Sequence, residues 1–286
     1  MKKRGLIGLD LDGTVFDDDK QISKENKIAI EKAMREGFVV TPVTGRPMAG
    51  VPGDMMAIGP MEYAVSSNGA VICRVKDFEK EEWERIHEDL LPRQKVLEVL
   101  TLLEDYPVVP DCFADGHGHM PEYAREMLGN MGLHPAVASY LLSDREFFPD
   151  LKEYVRNSPV EIEKITINFF MTPDGEKQKQ AVAKAIRQLG GVSLVRGAPQ
   201  NLEVNTETAK KGTGVLKLAQ LLGISPERTM ACGDDENDLD MIRRVGYGVA
   251  MGNARDSVKA EADYITGDNA HSGVAQAIYH FMELCL

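Results

Sequence analysis

Residues 7–17, IGLDLDGTVFD, join an apolar run to two carboxylates, Asp10 and Asp12, with a Gly-Thr pair directly behind them. The apolar run predicts a buried strand over residues 5–10. Side chains at i and i+2 of a strand point to the same side, so Asp10 and Asp12 are expected to converge near the turn at Gly13. Buried carboxylates are costly unless they are paired, metal-bound or neutralised. The stretch therefore predicts a cationic partner at the end of this strand.

Polar side chains also follow other predicted strands. FVVTPVTGR (38–46) ends in a threonine and an arginine, and RTMACGDDEND (228–238) ends in a group of acids. In open parallel α/β sheets, ligands bind beyond the carboxyl ends of the strands. One rim is therefore expected to collect Asp10, Asp12, Thr44, Arg46, Lys211, Asp234 and Asp238. The neighbouring Lys210 is the alternative lysine, and Lys211 is favoured because it precedes Gly212.

The charge at such a rim predicts a bound divalent cation. Two like charges about 4 Å apart repel by roughly 4 kcal/mol at an effective dielectric constant of about 20. Several such pairs rival the whole stability of a domain, and one lysine cannot offset them. Carboxylate oxygens together with water favour Mg²⁺. The expected metal ligands are Asp10, Asp12, Asp234 and Asp238.

Magnesium beside a lysine and hydroxyl groups predicts a phosphate site. Thr44 and the backbone N–H groups of the Gly13-Thr14 turn can donate hydrogen bonds to phosphate oxygens. Catalysis of phosphoryl transfer consists mostly of positioning and charge stabilisation. One carboxylate can act as the nucleophile and form an aspartyl phosphate. Asp12 can then protonate the leaving oxygen and later activate water.

The order of predicted elements indicates an α/β fold with an insertion. Strands and helices alternate at both ends of the chain, which predicts a parallel sheet with helical crossovers. The middle has a different pattern of elements and is expected to form an inserted domain. The predicted core covers 1–83 and 206–286, and the predicted insertion covers 84–205. A polar helix is expected from about Trp83, and an Asn-Gly turn within 63–72 predicts a hairpin.

Composition excludes several functional classes. The 286 residues carry a formal net charge of −12 and show no Lys/Arg cluster, which argues against a nucleic-acid partner and against anionic membranes. The 4 cysteines are scattered and do not have the spacing of a disulfide framework. The N-terminal apolar run is too short for a signal peptide, and no stretch has the length of a membrane span. We expect a cytoplasmic protein.

Four motifs in this order carry a family resemblance. DLDGTVFD, TGR, the lysine of KKGTGVLKLAQLLGI and GDDENDLDMI resemble the motifs of the haloacid dehalogenase-like phosphatases. SSNGAVI, VAMGNA and KAEADYIT resemble the Cof-type subfamily, whose large α/β cap lies between the second and third motifs. The resemblance implies a Rossmann-like, doubly wound parallel sheet core in which the insertion 84–205 is an α/β cap. It also implies a Mg²⁺-dependent phosphatase acting on small phosphorylated metabolites such as sugar or cofactor phosphates.

The resemblance also implies roles for individual residues. It makes Asp10 the nucleophile and a Mg²⁺ ligand, and Asp12 the general acid/base with its backbone carbonyl on the metal. Thr44 and Lys211 would hold the phosphoryl group, and Asp234 would bind Mg²⁺. Asn237 and Asp238 would support the metal or its waters. The expected phosphate-binding residues are Gly13, Thr14, Thr44, Gly45, Lys211 and Asn237.

Several alternatives remain open on the sequence. The same scaffold suits a phosphomutase or another phosphotransferase, and an idle metabolite-binding protein is a further possibility. A signalling receiver shares the clustered acids, but receivers are far shorter and lack the second carboxylate. His117 and His119 fit a metal site, a loop facing the substrate or a surface turn, and the role of His271 is open. The physiological substrate and the oligomeric state cannot be read from the sequence.

Overall fold

The computed structural model describes residues 3–133, 135–197 and 200–285, with only the backbone at Ala136. The strands are β1 (Gly5–Leu9), β2 (Phe38–Pro42), β3 (Tyr63–Ser66), β4 (Val71–Asp77), β5 (Glu82–Glu88), β6 (Val108–Ala114), β7 (His117–Pro121), β8 (Glu146–Phe148), β9 (Lys164–Phe169), β10 (Ser193–Val195), β11 (Asn201–Asn205), β12 (Thr229–Gly233), β13 (Tyr247–Ala250) and β14 (Tyr264–Ile265). The helices are α1 (Lys24–Arg35), α2 (Gly53–Met56), α3 (Arg93–Leu103), α4 (Ala124–Leu128), α5 (Pro135–Asp144), α6 (Leu151–Asn157), α7 (Gly175–Leu189), α8 (Lys211–Leu221), α9 (Leu239–Arg244), α10 (Asp256–Lys259) and α11 (Gly273–Leu284).

The described residues form two compact units. The core unit comprises residues 1–46, 51–88 and 210–286, and the cap unit comprises 47–50 and 89–209. The second unit is thus an insertion within the first. The limits expected from the sequence, 84 and 205, remain a prediction.

A five-stranded parallel sheet in the order β14-β13-β12-β1-β2 forms the centre of the core unit. The chain leaves β1 through α1 and adds β2 on one side, and later adds β12 on the other side through α8. Chain connections therefore diverge at β1, which opens a crevice at its carboxyl end. All residues of β1 and β12 are buried, as expected for parallel strands covered on both faces.

Helix α1 has typical capping residues at both ends. The Ser23 hydroxyl accepts a hydrogen bond from the N–H of Asn26, and Gly37 follows the helix with a positive φ of 90°. The Asn26 side-chain oxygen accepts from the N–H of Ala275 at 2.9 Å, which ties α1 to α11. Both ends of the sequence thus meet in one layer of the core unit.

A second sheet in the core unit contains β3, β4 and β5. The predicted hairpin is confirmed, because β3 and β4 are antiparallel and a turn at Ser67–Gly69 joins them. The predicted polar helix at Trp83 is wrong, since this residue lies in β5, paired with Val75 of β4. Pairing with β4 and the contact between the rings of Phe78 and Trp83 outweigh the charged, helix-compatible composition of this segment.

The cap unit has a six-stranded mixed sheet in the order β10-β11-β9-β6-β7-β8. Only the β7–β8 pair is parallel among the described pairs of this sheet. Helices α3, α6 and α7 share an apolar cluster with one face of the sheet. Helices α4 and α5 pack against Val109 and Met120 of the other face. The predicted fold class, a parallel α/β core with an inserted α/β unit, is confirmed.

No helix within the described residues is both long and apolar enough to cross a bilayer.

Candidate active site

Asp10 lies directly after β1, where the chain connections diverge. Its N–H donates to the carbonyl oxygen of Cys232 at 3.0 Å, so the β1–β12 ladder fixes its position. The residue is 5% exposed. Burial is the main cause that raises the pKa of the Asp10 carboxyl well above its ordinary value, and the Asp238 carboxylate raises it further. Asp10 therefore needs a cation nearby to stay ionised.

Lys211, the first residue of α8, supplies one cation. Its Nζ donates to Oδ1 of Asp10 at 2.6 Å and to Oδ1 of Asp238 at 2.7 Å. Burial by itself would lower the pKa of Lys211, but the two carboxylates outweigh it and raise the pKa. The preceding Lys210 has a different environment, because its N–H donates to the Thr213 hydroxyl as α8 begins. The structure thus places Lys211 among the acids.

The acids that follow β12 are held by their own turn. Asp238 is fully buried, and its Oδ2 accepts the N–H groups of Asp234 at 3.0 Å and Asp235 at 3.1 Å. Since its Oδ1 accepts from Lys211, Asp238 fixes both the turn and the lysine. Burial raises the pKa of Asp234 to about 6, with a further contribution from Asp238.

Three carboxylates form a candidate metal centre. One oxygen each from Asp10, Asp234 and Asp238 lies within 4.8 Å of the others. The Lys211 ammonium lies in hydrogen-bond contact with Asp10 and Asp238 of this group. The donor set consists of hard oxygen atoms with an excess of negative charge, which fits a divalent cation such as Mg²⁺. Among the described residues, no other group of metal-ligating side chains is found.

The Gly13-Thr14 turn packs against the acid that follows β12. The Thr14 hydroxyl donates to Oδ1 of Asp234 at 3.1 Å. Gly13 has a positive φ of 86°, and a Cβ at this position would lie 2.5 Å from Oδ2 of Asp234. Only glycine combines this backbone conformation with so close an approach. The glycine in the Asp-Gly-Thr sequence thus lets the loops that follow β1 and β12 pack together.

Asp12 is not one of the three carboxylates of the candidate metal centre. Its carboxylate accepts from Nε and Nη2 of Arg46, both at 2.9 Å, and from Nζ of Lys20 at 2.9 Å. Burial by itself would raise the pKa of Asp12, but Arg46 and Lys20 outweigh it and lower the pKa. Because β1 ends at Leu9, the strand alternation behind the predicted convergence of Asp10 and Asp12 does not extend to Asp12, and the convergence stays a prediction.

The remaining predicted residues lie on neighbouring loops of the core unit. Thr44 is buried after β2, where its N–H donates to Val65 O at 2.9 Å and its hydroxyl accepts the Arg46 N–H at 3.1 Å. Gly45 lies between Thr44 and Arg46. Asn237 is half-buried in the turn Glu236–Asp238.

This ordered set of strand-end residues matches a known family. Residues 7–278 match the haloacid dehalogenase-like hydrolases. The chain belongs to this family. The match spans both the core unit and the cap unit, so the resemblance seen in the four motifs is confirmed.

Relatives within the haloacid dehalogenase-like family align over almost the whole chain. Phosphatase YwpJ of Bacillus subtilis is 29% identical over 97% of this chain and 99% of its own. The 5-amino-6-(5-phospho-D-ribitylamino)uracil phosphatase YcsE of the same species is 28% identical over 97% and 95%. A haloacid dehalogenase-like hydrolase structure from B. subtilis superimposes with a TM-score of 0.76 at 30% identity, covering 98% of this chain and 99% of that one. The chain is a phosphatase of this family, as predicted.

The histidines lie outside the acid cluster of this haloacid dehalogenase-like enzyme. His119 is buried, its Nδ1 lies 3.2 Å from Cys112 O, and its ring stacks on Tyr154 at 4.7 Å. Burial lowers the pKa of His119. His117 begins β7, and the His271 ring contacts Asp268 at 2.6 Å. Within the described residues, no metal-ligating group includes a histidine.

Sequence reasoning missed two residues next to the predicted ones. Lys20, which binds Asp12, follows the acidic run Asp17–Asp19 and has a positive φ of 58°. Asn253, which donates to Gly13 O at 2.8 Å, lies in the motif VAMGNA that carried the subfamily resemblance. The motif VAMGNA could have indicated a role for Asn253. No sequence pattern distinguishes Lys20 from other surface lysines.

Proposed function

We propose that this enzyme hydrolyses small phosphorylated metabolites with Mg²⁺ through an aspartyl phosphate on Asp10. The observation that carries the proposal is the excess of carboxylates around Lys211 at the ends of β1 and β12. Three acids and one ammonium can accept a divalent cation and then a phosphate dianion. The position at the divergence of the chain connections agrees with ligand binding in other open α/β sheets.

The reaction has two halves at Asp10. A carboxylate oxygen of Asp10 attacks phosphorus, and the bond from phosphorus to the leaving oxygen breaks. Asp12 gives its proton to that oxygen, so that a neutral alcohol leaves. In the second half Asp12 takes a proton from water, whose oxygen attacks the phosphorus, and the bond to Asp10 breaks. Inorganic phosphate leaves, and Asp12 returns its proton to solvent as it pairs again with Arg46 and Lys20.

Arg46 and Lys20 keep the Asp12 carboxyl ionised, which is the form that the second half of the reaction requires. In the first half Asp12 must hold a proton, so its contacts with the two cations must weaken. An incoming phosphoryl group offers Arg46 and Lys20 another anionic partner. We therefore propose that substrate binding, rather than bulk pH, releases Asp12 from these cations.

The proposed metal ligands are the side chains of Asp10, Asp234 and Asp238 and the backbone carbonyl of Asp12. When bound, Mg²⁺ supplies positive charge that offsets the acids and the phosphoryl oxygens. Asp238 also fixes the turn that carries Asp234. The proposed phosphoryl-binding residues are Gly13, Thr14, Thr44, Gly45, Lys211 and Asn237. Lys211 holds one oxygen of Asp10, which orients the other oxygen for attack.

The names of the relatives support a small phosphorylated metabolite as substrate, since YcsE acts on a phosphorylated ribitylaminouracil. A cytoplasmic location is part of the proposal. It is supported by Cys73, Cys112, Cys232 and Cys285, which are all free thiols.

The test is a phosphate-release assay over phosphorylated sugars, nucleotides and cofactors, with and without Mg²⁺. Release is expected only with Mg²⁺, and Asp10→Asn is expected to lower kcat by on the order of 10⁴-fold because the nucleophile is lost. The wild-type enzyme, quenched during turnover, is expected to carry one phosphoryl group on Asp10.

The matched control is Asp18→Asn, which removes an exposed carboxylate from the same loop and should leave turnover unchanged. Full turnover by Asp10→Asn would contradict the nucleophile assignment. Conversion of a sugar phosphate to an isomer without phosphate release would instead favour a phosphomutase.

A further inference from the structure

The side-chain amide of Asn253 joins three loops at the carboxyl edge of the core sheet. Its Nδ2 donates to Gly13 O at 2.8 Å, and its Oδ1 accepts the N–H of Asn269 at 3.0 Å. Asn269 in turn donates from Nδ2 to Phe16 O at 3.3 Å. The loops that follow β1, β13 and β14 are therefore connected through two asparagines.

The turn that carries Asn253 is itself fixed on both sides. The Gly252 N–H donates to Gly267 O at 2.9 Å, and the Arg255 N–H donates to Asp234 O at 3.1 Å. The Asn253 side chain is exposed, so its burial contributes little to folding. Its two polar groups nevertheless bind loop atoms rather than only water. The hydrogen bonds of Asn253 therefore fix the conformation of these loops rather than contribute to the packed core.

The Gly13 carbonyl is connected to the candidate metal centre within one residue. It belongs to the peptide group that links Gly13 to Thr14, and the Thr14 hydroxyl donates to Oδ1 of Asp234. The same Gly13 leaves no room for a Cβ against Oδ2 of Asp234. Rotation of this peptide group would therefore move both the Thr14 hydroxyl and the surface against which Asp234 rests.

We propose that Asn253 is a positioning residue that sets the affinity of the acid cluster for its divalent cation by holding the Gly13 carbonyl. The inference rests on the proposed metal-dependent function. Hydrogen-bond partners behind metal ligands typically change metal affinity or activity by about 10- to 100-fold when they are removed. Asn253 acts here through Gly13, Thr14 and Asp234.

The experiment measures Mg²⁺ binding to the full chain by calorimetry, with Mg²⁺ alone as the probe. Asn253→Ala is expected to raise the Kd for Mg²⁺ by about 10-fold, with an unchanged Tm in metal-free buffer. At saturating Mg²⁺ most of the kcat is expected to return, while the KM for the phosphate ester stays the same. A merely structural role would lower Tm and leave the Kd of the folded protein unchanged.

A second variant separates hydrogen bonding from charge. Asn253→Asp keeps an acceptor for the Asn269 N–H but replaces the donor to Gly13 O with an oxygen. Its added negative charge alone would tighten Mg²⁺ binding, whereas loss of the donor weakens it. We expect weaker binding. The matched controls are Asn130→Ala and Asn130→Asp, since exposed Asn130 also donates to a backbone carbonyl, that of Glu126, within the cap unit.

The outcomes distinguish the inference from the proposed function. Equal Mg²⁺ affinity in the wild type, Asn253→Ala and Asn253→Asp would overturn the inference and leave the proposed function standing. Tighter binding by Asn253→Asp with full activity would also overturn it. A wild-type enzyme that hydrolyses substrates without binding Mg²⁺ would overturn both.

Discussion

The core unit and the cap unit both bury lysine and carboxylate side chains, but in different proportions. In the core unit the Lys211 ammonium contacts the carboxylates of Asp10 and Asp238, and the Asp234 carboxylate lies close to both acids. This core cluster contains one ammonium and three carboxylates. In the cap unit two buried cations each pair with one buried carboxylate, and Arg145 also contacts the partly exposed Asp144. Lys164 pairs with Glu203, and Arg145 Nε donates to Asp111 Oδ2 at 2.8 Å. All four of these cap side chains are largely buried.

Charge balance separates a structural ion pair from a site that requires a ligand. A buried pair of one cation and one carboxylate has no net charge, although it adds little net stability. The Asp111–Arg145 pair is also closely packed, because a Cβ on Gly118 would lie 2.2 Å from Cδ of Arg145. The core cluster has unsatisfied negative charge, so a further cation is needed. Burial alone would not have distinguished these two clusters.

Removing the lysine from each cluster gives the largest expected effects. Lys211→Met and Lys164→Met should each lower the free energy of unfolding by about 3 to 5 kcal/mol, because each leaves buried carboxylates without their partner. Only Lys211→Met should also lower kcat, by at least about 100-fold, since the lysine holds the nucleophile. Urea denaturation and phosphate release from a simple phosphate ester measure the two effects.

Paired substitutions sharpen this contrast. Lys164→Met combined with Glu203→Leu replaces both partners with apolar groups, so much of the lost stability should return and the kcat of the folded protein should stay near that of the wild type. An equal fall in kcat for Lys164→Met and Lys211→Met would contradict the distinction between the clusters.

Much of the core unit could be predicted because local signals agree with the final fold. β1 and β12 are short apolar runs that end in acids, and α1 has a serine cap and a glycine stop. The acid cluster follows from parallel strands whose carboxyl ends share one edge. These features depend on patterns that span a few residues, which a single sequence displays.

Other features depend on partners that are distant in the chain. Segment β5 has a charged composition and becomes a strand only through pairing with β4. Asp12 binds Arg46, 34 residues away, because it already lies in a turn after β1. The Asp111–Arg145 pair likewise joins residues 34 positions apart. No local sequence pattern indicates such pairings, so they could not be predicted from the sequence.

Magnesium should stabilise the core cluster in a way that the balanced pairs cannot reproduce. At a free Mg²⁺ concentration of about 100 times Kd, binding to the folded state adds roughly 2.7 kcal/mol to the free energy of unfolding. Asp234→Asn should lose most of this gain, and Asp111→Asn should keep it. Thermal midpoints measured against NaCl at equal ionic strength exclude simple screening. A gain of equal size in Asp234→Asn would place the metal elsewhere.

The smallest expected effect is a pH dependence that comes from the cap unit. Burial raises the pKa of Asp111 to about 6, although Arg145 and Lys164 act in the opposite direction and Asp144 adds to the rise. Because the folded state disfavours the ionised form relative to the unfolded chain, the contribution of Asp111 to stability falls as pH rises. The loss amounts to about 2 kcal/mol between pH 4 and pH 6.

The measurement is the difference in unfolding free energy between the wild type and Asp111→Asn at several pH values. The asparagine does not titrate, so the variant should gain stability relative to the wild type as pH rises through this window. Asp105→Asn, at an exposed carboxyl of the same unit, should show no such trend. A constant difference would mean that Arg145 keeps Asp111 ionised throughout. The cap pair would then be electrostatically complete at every pH tested, and the contrast with the core cluster would become sharper.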